Sequence, residues 1–369
     1  MVDSNGRLLG AFFAELMKPT TIQDVARQAG VSVTSVSNYL NDRHNHLRQS
    51  TIERIEESIR QLAYSPSKVA RQLKTGHTPM VGVLMPSIVN PYHSELALAI
   101  DEAAQLRGFR PVLGNSHRDE KREKAFIEEL VGYGVRGFIV TTELTNLRVM
   151  ADFLKRKIAF VLFDLRASDL NIPGVDVVSI DNALATSVAV DHLVSLGHRS
   201  IAYVTPPRFS ASRKERLRGF EAAIRKHGLG NPIVISKDDD SAADQGDSGL
   251  AYYGQRAARQ LLDINPRPTA VIGMNDILAI GVLAGLHKAG VNVPSDISLV
   301  GIDDIQLSGL IVPAMTTLRP SYQSMADTAI GYLQSRLADP TQAGRECVLA
   351  PDLVVRESSA FLKAERQGL

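Results

Sequence analysis

From Met80 onward, strand-like apolar runs alternate with amphipathic helical stretches, and this alternation constrains the fold more than any other feature. VGVLMP is followed by a helical stretch to Arg107, RPVLGNS by one to Tyr133, and VVSID by one to Leu196. Strands that alternate with helices in this way predict parallel sheets covered by helices on both faces. About ten such runs over about 280 residues favour two sheets rather than one.

The two sheets predict two lobes that the chain visits more than once. We expect a first lobe of about 79–179 and 321–346, and a second of about 180–320 and 347–362. Polar residues follow several strand-like runs, namely Asp164, Asp181, Asn275–Asp276 and Asp303–Asp304. Ligands of doubly wound sheets bind beyond the carboxyl ends of the strands. Two facing lobes would therefore enclose a cleft lined by polar side chains.

The segment from Thr20 to about Tyr64 has a different pattern, with three short helices. Thr21 and Asp24 fit a capping box at the start of the first helix, and Gly30 fits its end. Ser32 can cap the second helix, and STIERIEESIRQLAY supplies the third. Two helices joined by a short Gly-containing turn indicate a helix-turn-helix, which we place at residues 20–66.

The second helix, within VSVTSVSNYLN, carries no charge over eleven residues. Val33, Val36 and Leu40 follow the spacing of one apolar face, and hydroxyl and amide side chains occupy the other. One interpretation is a helix that is buried or faces a partner. The other is a recognition helix in the DNA major groove, whose small polar side chains reach base edges and phosphates.

The composition limits the classes of function. The net charge of the chain is +1, but residues 1–78 hold ten Lys/Arg and seven Asp/Glu, whereas the remainder holds 31 and 33. A mildly cationic N-terminal part is compatible with nucleic acid binding. The single cysteine, Cys347, suits a reducing compartment. Residues 1–19 lack the features of a signal peptide, so we interpret them as a flexible extension and expect a cytoplasmic, nucleoid-associated protein.

Enzymatic and metal signatures are missing from the sequence. It contains no G-x-x-x-x-G-K-[ST], no G-x-S-x-G and no G-x-G-x-x-G after a strand. Its histidines show neither H-x-x-x-H nor H-E-x-x-H spacing. We therefore predict no catalytic residues, no metal and no cofactor.

Motifs along nearly the whole chain resemble those of LacI/GalR-family transcriptional regulators. The resemblance begins with TIQDVARQAGVSVTSVSNYLN and SKVARQLKTGHTPMVGVLMP and continues through NPYH, DHLVSLGHRSIAYV, RLRGF, MNDILAIGVL, VPSDISLVGIDD and PAMTTLRP. It implies an α/β fold: a helix-turn-helix DNA-binding domain and a hinge helix, then a two-lobed, periplasmic-binding-protein-like body of doubly wound parallel sheets at 79–369. It also implies a homodimeric repressor of a near-palindromic operator in double-stranded DNA, switched by a small-molecule effector.

The resemblance assigns DNA-binding roles to residues of the helix-turn-helix. Val33, Thr34 and Asn38 match base-reading positions, whereas Thr21, Ser32, Ser37 and Asn41 match positions that hold the phosphate backbone. Arg or His is frequent in the family at position 38, so Asn38 is a departure; an asparagine can pair with adenine N6 and N7.

The short segment 67–78 matches the hinge helix of the family. Leu73 matches the leucine that wedges between base steps from the minor groove, and the cations Lys68, Arg71 and Lys74 flank the segment. Too short to be stable alone in water, such a helix would form on DNA, which would couple the lobes to the operator.

The resemblance also assigns the effector-binding residues of the cleft. They are Tyr92, His93, Asp164, Arg216, Asn275 and Asp303. His93 stands where many relatives have an aromatic ring, and Gly249 lies about where some use an aromatic residue to stack a ring. Several polar strand ends without a clear stacking partner favour a sugar or sugar derivative over a purine.

Three alternatives remain open from the sequence. The regulator could respond to a purine or nucleoside corepressor, or it could act as an activator. A solute-binding protein of a transporter has the same body, but the helix-turn-helix and the lack of a signal peptide disfavour it. The chain ends too early for the C-terminal heptad helix of tetrameric relatives, which favours a dimer.

Overall fold

The computed structural model describes residues 20–65, 78–141, 147–170, 172–207, 210–236 and 249–362. Contacts divide the chain into two compact units, with the boundary between Thr78 and Pro79. The expected extension at 1–19 and most of the expected hinge at 67–78 lie outside the described residues.

The first unit is a small helical domain. Its described residues form the helices α1 (Ile22–Ala29), α2 (Val33–Leu40) and α3 (Gln49–Gln61) and a 3-10 turn at His44–His46. Val25, Ala26, Ala29, Val36 and Ile55 form its buried core. Each of the three helices contributes an apolar side to this core, which holds α2 in place.

Local hydrogen bonds fix where these helices begin and end. The Thr21 hydroxyl accepts from the backbone N–H of Asp24, while the Asp24 carboxylate accepts from the backbone N–H of Thr21 at 3.0 Å. Gly30 ends α1 with φ 62°, a left-handed conformation that glycine adopts without strain. Ser32 caps α2 by accepting from the backbone N–H of Ser35 at 3.1 Å. The predicted caps are confirmed.

The second unit contains two six-stranded sheets, each forming one lobe. The first sheet has the order β11-β5-β4-β3-β1-β2 and is parallel throughout. Its strands are β1 (Met80–Met85), β2 (Arg110–Asn115), β3 (Gly137–Val140), β4 (Ala159–Phe163), β5 (Asp176–Ile180) and β11 (Glu346–Leu349). Its helices are α4 (Pro91–Leu106), α5 (Glu120–Gly132), α6 (Leu147–Lys155) and α11 (Tyr322–Ala338).

The second sheet has the order β12-β10-β9-β8-β6-β7. Its strands are β6 (Ile201–Val204), β7 (Ile233–Ile235), β8 (Ala270–Gly273), β9 (Ser298–Ile302), β10 (Thr316–Arg319) and β12 (Asp352–Val354). The helices are α7 (Asn182–Ser195), α8 (Ala211–Lys226), α9 (Leu250–Leu262) and α10 (Asp276–Lys288). Among the described strands of this sheet, only the edge strand β12 runs antiparallel, against β10. The parallel arrangement predicted from the alternation is confirmed in both lobes, with this edge strand as its exception.

Helices cover both faces of the first sheet. Leu96 and Ile100 of α4 pack with Ile330 of α11 on one face, and Ile127 of α5 packs on the other. In the second lobe a single apolar cluster joins the strands to α7, α8, α9 and α10. The strands of both sheets are buried in the two cores, and the polar residues that follow them in sequence lie at their carboxyl ends.

The chain crosses from the first lobe to the second for the last time after residue 349, later than the expected boundary at 346/347. Cys347 and Val348 pair with Val178 and Ser179 in the first sheet, so the crossing lies between Leu349 and Asp352. A buried ion cluster explains this placement: Arg345 donates from its Nε atom to Asp176 at 2.9 Å, and Arg336 of α11 donates to the same carboxylate at 2.7 Å. The pair of arginines fixes the start of β11 beside β5.

Within the described part of the chain, every helix is too short or too polar to span a membrane.

Candidate functional site

The N-terminal turn of α2 presents an uncharged, exposed surface. Ser32, Val33 and Thr34 are exposed, and Val33 is 42% exposed. Helical spacing alone grouped Val33 with the buried Val36, and that interpretation is wrong for Val33. Its exposure instead fits the base-reading position that the family resemblance gives it.

The other predicted DNA residues of this unit lie at the start of α1, along α2 and at the end of α2. Thr21 is exposed at the start of α1, and Asn38 and Ser37 are half-buried on α2. Asn41 ends α2 and donates from Nδ2 to the backbone carbonyl of Ser37 at 2.6 Å. Lys68, Arg71 and Leu73 of the predicted hinge lie outside the described residues.

The second unit contains a cleft, open to solvent, between the strand ends of its two sheets. All six predicted effector residues line it: Tyr92, His93, Asp164, Arg216, Asn275 and Asp303. The lining residues follow the carboxyl ends of strands from both lobes, the location that the parallel topology favours for ligands. The structure therefore brings together residues as far apart in sequence as Tyr92 and Asp303.

Unusual backbone conformations point several of these side chains into the cleft. Asp164 has φ 58° and Asp303 has φ 125°, in the left-handed region that residues other than glycine rarely adopt. Each such residue stores strain on the order of 1–3 kcal/mol, which persists only where the surroundings enforce it. Strain of this kind at two of the six predicted lining residues is typical of a binding site.

Arg216 and Asp303 form a buried ion pair at the base of the cleft. Nη2 of Arg216 lies 3.4 Å from Oδ1 of Asp303, and the residues are only 8% and 3% exposed. Nε of Arg216 donates to Asn182 at 2.8 Å, and Nη1 donates to the carbonyl of Met274 at 2.6 Å. Burial raises the pKa of Asp303, and the Arg216 charge opposes that shift. The pair is thus fixed by several partners before any ligand arrives.

Aromatic side chains form the first-lobe wall of the cleft. The Tyr92 hydroxyl donates to the Asp164 carboxylate at 3.2 Å, and burial together with that carboxylate raises the pKa of Tyr92. The ring of Tyr92 lies edge-on to His93, with centroids 5.1 Å apart, and 5.7 Å from Tyr322. Asp164 is thereby held with its oxygens toward the cleft, where they can accept hydrogen bonds from ligand hydroxyls.

Asn275 and its neighbour Asp276 have separate roles. Asn275 caps α10 by accepting from the backbone N–H of Leu278 at 3.0 Å, and its side chain also borders the cleft. Asp276 lies below the surface and accepts from the hydroxyls of Ser308 and Thr317, each at 2.6 Å. Asp276 therefore supports the strand ends without lining the cleft.

Two other strand-end carboxylates also lie outside the cleft lining. Asp181 caps α7 by accepting from the backbone N–H of Leu184 at 2.9 Å. Asp304 pairs with Arg356 at 2.6 Å and with Arg319. Position at a strand end was therefore insufficient to predict which residues line the cleft.

Sequence reasoning missed several residues that line the cleft. They are Pro86, Asn90, Arg118, Thr141, Phe163, Ser210, Ser212, Arg213 and Met274. Asn90, Arg118 and Thr141 follow β1, β2 and β3, so the strand-end rule would have found them had it also been applied to the ends of these three strands.

Direct contacts join the two lobes beside the cleft. Nε of Arg166, after β4, donates to Glu215 of α8 at 2.8 Å. The Tyr322 hydroxyl donates to the backbone carbonyl of Asp303 at 2.9 Å, and the N–H of Gln306 donates to Glu95 of α4 at 2.9 Å. A change in the angle between the lobes must rearrange these bonds.

A helix-turn-helix unit followed by a two-lobed body with a polar cleft is the architecture of ligand-responsive DNA-binding regulators. Residues 21–67 match the family described as bacterial regulatory proteins, lacI family, and residues 190–359 match the periplasmic binding protein-like domain. The chain is 31% identical to the ribose operon repressor of Escherichia coli (strain K12) over 341 residues, which cover 92% of this chain and 99% of that protein. The chain belongs to the lacI family of bacterial regulatory proteins.

Solved structures agree with this assignment. The lac repressor dimer bound to operator and the anti-inducer ONPF superposes with a TM-score of 0.80 at 26% identity, covering 93% of this chain and 100% of that one. A LacI family transcriptional regulator from Enterococcus faecium with bound ribose superposes with a TM-score of 0.66 at 28% identity, covering 77% of this chain and 100% of that chain.

Proposed function

We propose that this protein is a homodimeric transcriptional repressor whose affinity for its operator is switched by a small carbohydrate-like effector. The observation that carries the proposal is the cleft, where the six residues expected from the family pattern meet at strand ends of both lobes. The exposed, uncharged turn at Ser32–Thr34 supplies the DNA-reading part.

The chemistry of the cleft supports a ligand rich in hydroxyl groups. Asp164 and Asp303 accept hydrogen bonds, Arg216 donates them, and the amide of Asn275 can do both. Among the described lining residues, the aromatic side chains of Tyr92 and Phe163 are only 5% and 1% exposed, so neither offers a free face to a nucleobase. This arrangement favours a sugar over a purine.

The switch follows from the position of the cleft between the lobes. A ligand that contacts Asp164 on one side and Asp303 on the other favours one angle between the lobes over others. Because the first lobe follows the predicted hinge segment in sequence, a changed angle would favour or disfavour pairing of two hinge helices over the operator. The effector shifts this equilibrium only as far as its affinities for the two arrangements differ.

The proposal is tested by selecting binding sites for the purified protein from a randomised DNA pool at near-physiological salt, with and without a mixture of sugars. We expect two-fold symmetric sites with a flexible pyrimidine–purine step at the centre. Asn38→Ala should relax the preference at one base pair of each half-site by about 1–3 kcal/mol, whereas Thr341→Ala, an exposed change in the second unit, should leave it unaltered.

The direction of the sugar effect separates the possible modes of regulation. Enrichment that is lost on adding sugars indicates an inducer, and enrichment that requires them indicates a corepressor. A pool that stays unenriched under both conditions would contradict the proposed function.

A further inference from the structure

Hydrogen bonds of charged side chains join the two lobes at two places beside the cleft. Arg166, which follows β4 in the first lobe, donates from Nε to Glu215 of α8 in the second lobe at 2.8 Å. Glu95 of α4 in the first lobe accepts from the backbone N–H of Gln306, in the 3-10 turn after β9 of the second lobe, at 2.9 Å. Because each has a charged partner, these two cross-lobe bonds belong to the stronger class of hydrogen bonds.

The Arg166–Glu215 bond holds lining residues of opposite lobes at a set separation. Arg166 comes shortly after Asp164, which lines the cleft from the first lobe. Glu215 immediately precedes Arg216, which lines it from the second lobe. Nη2 of Arg166 also lies 3.6 Å from Oδ1 of Asp181, at the start of α7. The side chains of Arg166 and Glu215 are 22% and 20% exposed, so water screens this pair less than it screens a fully exposed one.

The Glu95–Gln306 bond fixes the separation of the lobes at another part of the cleft lining. Glu95 comes shortly after the lining residue His93 on α4. Gln306 comes shortly after Asp303, a lining residue of the second lobe. The Tyr322 hydroxyl, which donates to the backbone carbonyl of Asp303 at 2.9 Å, adds a further connection there. A ligand that pushes the lobes apart must therefore break these bonds.

The space that these bonds leave between the lobes is small. The centre of a water molecule can reach about 80 Å³ of the cleft. One water needs about 10–15 Å³ of such space and takes up about 30 Å³ of liquid, so the cleft holds about five to eight waters, or about 150–240 Å³ of ligand. Pockets for drug-sized ligands, which disaccharides match in size, have about 300–1,000 Å³. With the lobes in this arrangement, the cleft therefore has room for one sugar ring.

We propose that the effector is a monosaccharide, and that the two cross-lobe bonds exclude larger carbohydrates by fixing the separation of the lobes. This inference rests on the proposed function and adds the size of the ligand to its chemistry. A second sugar ring fits only if Arg166 separates from Glu215 and Glu95 separates from Gln306. These four residues lie outside the cleft lining, so they act as positioning residues that hold the lining residues in place.

The test is calorimetric titration of the intact protein with monosaccharides and with disaccharides built from them. The pairs are D-xylose with xylobiose, D-glucose with maltose, D-galactose with lactose and D-fructose with sucrose, and D-ribose is added as a single probe. We expect one of the monosaccharides to bind at least about tenfold more tightly than any disaccharide of the panel, because the larger ligand loses both cross-lobe bonds.

Variants connect the size limit to the two bonds. Glu215→Ala and Glu95→Ala each remove one acceptor, so a disaccharide no longer has that bond to break. Each should lower the ratio of monosaccharide affinity to disaccharide affinity by about threefold or more. Glu215→Gln keeps an acceptor oxygen for Arg166 without the charge and should have an intermediate effect. It also supplies the comparison if the alanine variants fail to fold, which their melting temperatures show.

The matched control removes an ion pair that lies within one lobe. Asp327 of α11 pairs with Arg107, at the end of α4, at 3.0 Å, and both side chains are partly exposed. Asp327→Ala therefore removes a comparable interaction without changing the separation of the lobes. It should leave the ratio of monosaccharide affinity to disaccharide affinity as it is in the wild type.

Two outcomes would overturn the inference. One is a disaccharide that binds as tightly as the best monosaccharide, and the other is a preference for monosaccharides that none of the Glu215 and Glu95 variants reduces. Operator affinity is measured separately by fluorescence anisotropy with the selected DNA. Operator binding that responds to a sugar without this size preference would refute the inference alone. Absence of binding by sugars of either size, or loss of operator binding in every condition, would refute the proposed function as well.

Discussion

The buried pair of Arg216 and Asp303 allows a quantitative test of how the cleft is built. We expect Asp303→Asn to destabilise the second unit strongly, because it leaves the Arg216 charge buried at 8% exposure without its counter-ion. Removing one partner of a buried ion pair costs about 3–5 kcal/mol. That is a large part of the roughly 5–15 kcal/mol by which folded domains are stable.

The same reasoning predicts that removing both charges is less damaging than the single changes suggest. Arg216→Met combined with Asp303→Asn leaves no unpaired charge, although Asn182 and the Met274 carbonyl each lose a donor. We therefore expect the free energy of unfolding lost in the double variant to be smaller than the sum of the two single losses by about 1.5–3 kcal/mol.

Thermal and urea denaturation, monitored by circular dichroism, give the free energies of unfolding of the wild type, the two single variants and the double variant. Asp303→Asn should lower the melting temperature by at least about 6 °C, taking about 2–4 °C per kcal/mol for large domains. Below that temperature the variant should bind operator as the wild type does but fail to respond to effector. If the destabilisation of the double variant equals the sum of the two single destabilisations to within about 0.5 kcal/mol, the coupling between Arg216 and Asp303 is refuted. If Asp303→Asn loses operator binding together with the effector response, Asp303 supports the fold and not effector binding.

Two further predictions concern a buried histidine and the hinge. Burial lowers the pKa of His198 from 6.5, so the unfolded chain takes up the proton first, and stability should fall as the pH drops below about 6.5. His198→Gln should reduce the dependence of the free energy of unfolding on pH, whereas His287→Gln, at an exposed position, should not. Equal pH dependence of this free energy in the wild type and both variants would contradict the role of His198. Leu73→Ala should weaken binding to the selected operator while sparing weak non-specific binding in anisotropy titrations, and equal loss of both would exclude the predicted wedge.

The sequence by itself determined the features that depend on near neighbours. The capping box of Thr21 and Asp24, the left-handed Gly30 and the Ser32 cap each join atoms within three or four residues of one another. The alternation of strands and helices is similarly local, because it records which side chains face the interior of each element. The six cleft positions came from the family pattern, and the structure places all of them on one cleft.

Tertiary structure decided the features that depend on distant partners. Val33 follows the apolar spacing of α2, but the three-helix core leaves it 42% exposed. Arg345 directs β11 into the first sheet through Asp176, which lies 169 positions earlier.

The same dependence explains which strand-end residues reach the cleft. Arg118 and Arg213 line it while Asp181 does not, although all three follow strands. Which strand ends face one another is set by the order of strands in each sheet and by the approach of the two lobes. These depend on the summed packing of residues far apart in sequence, which no local pattern records.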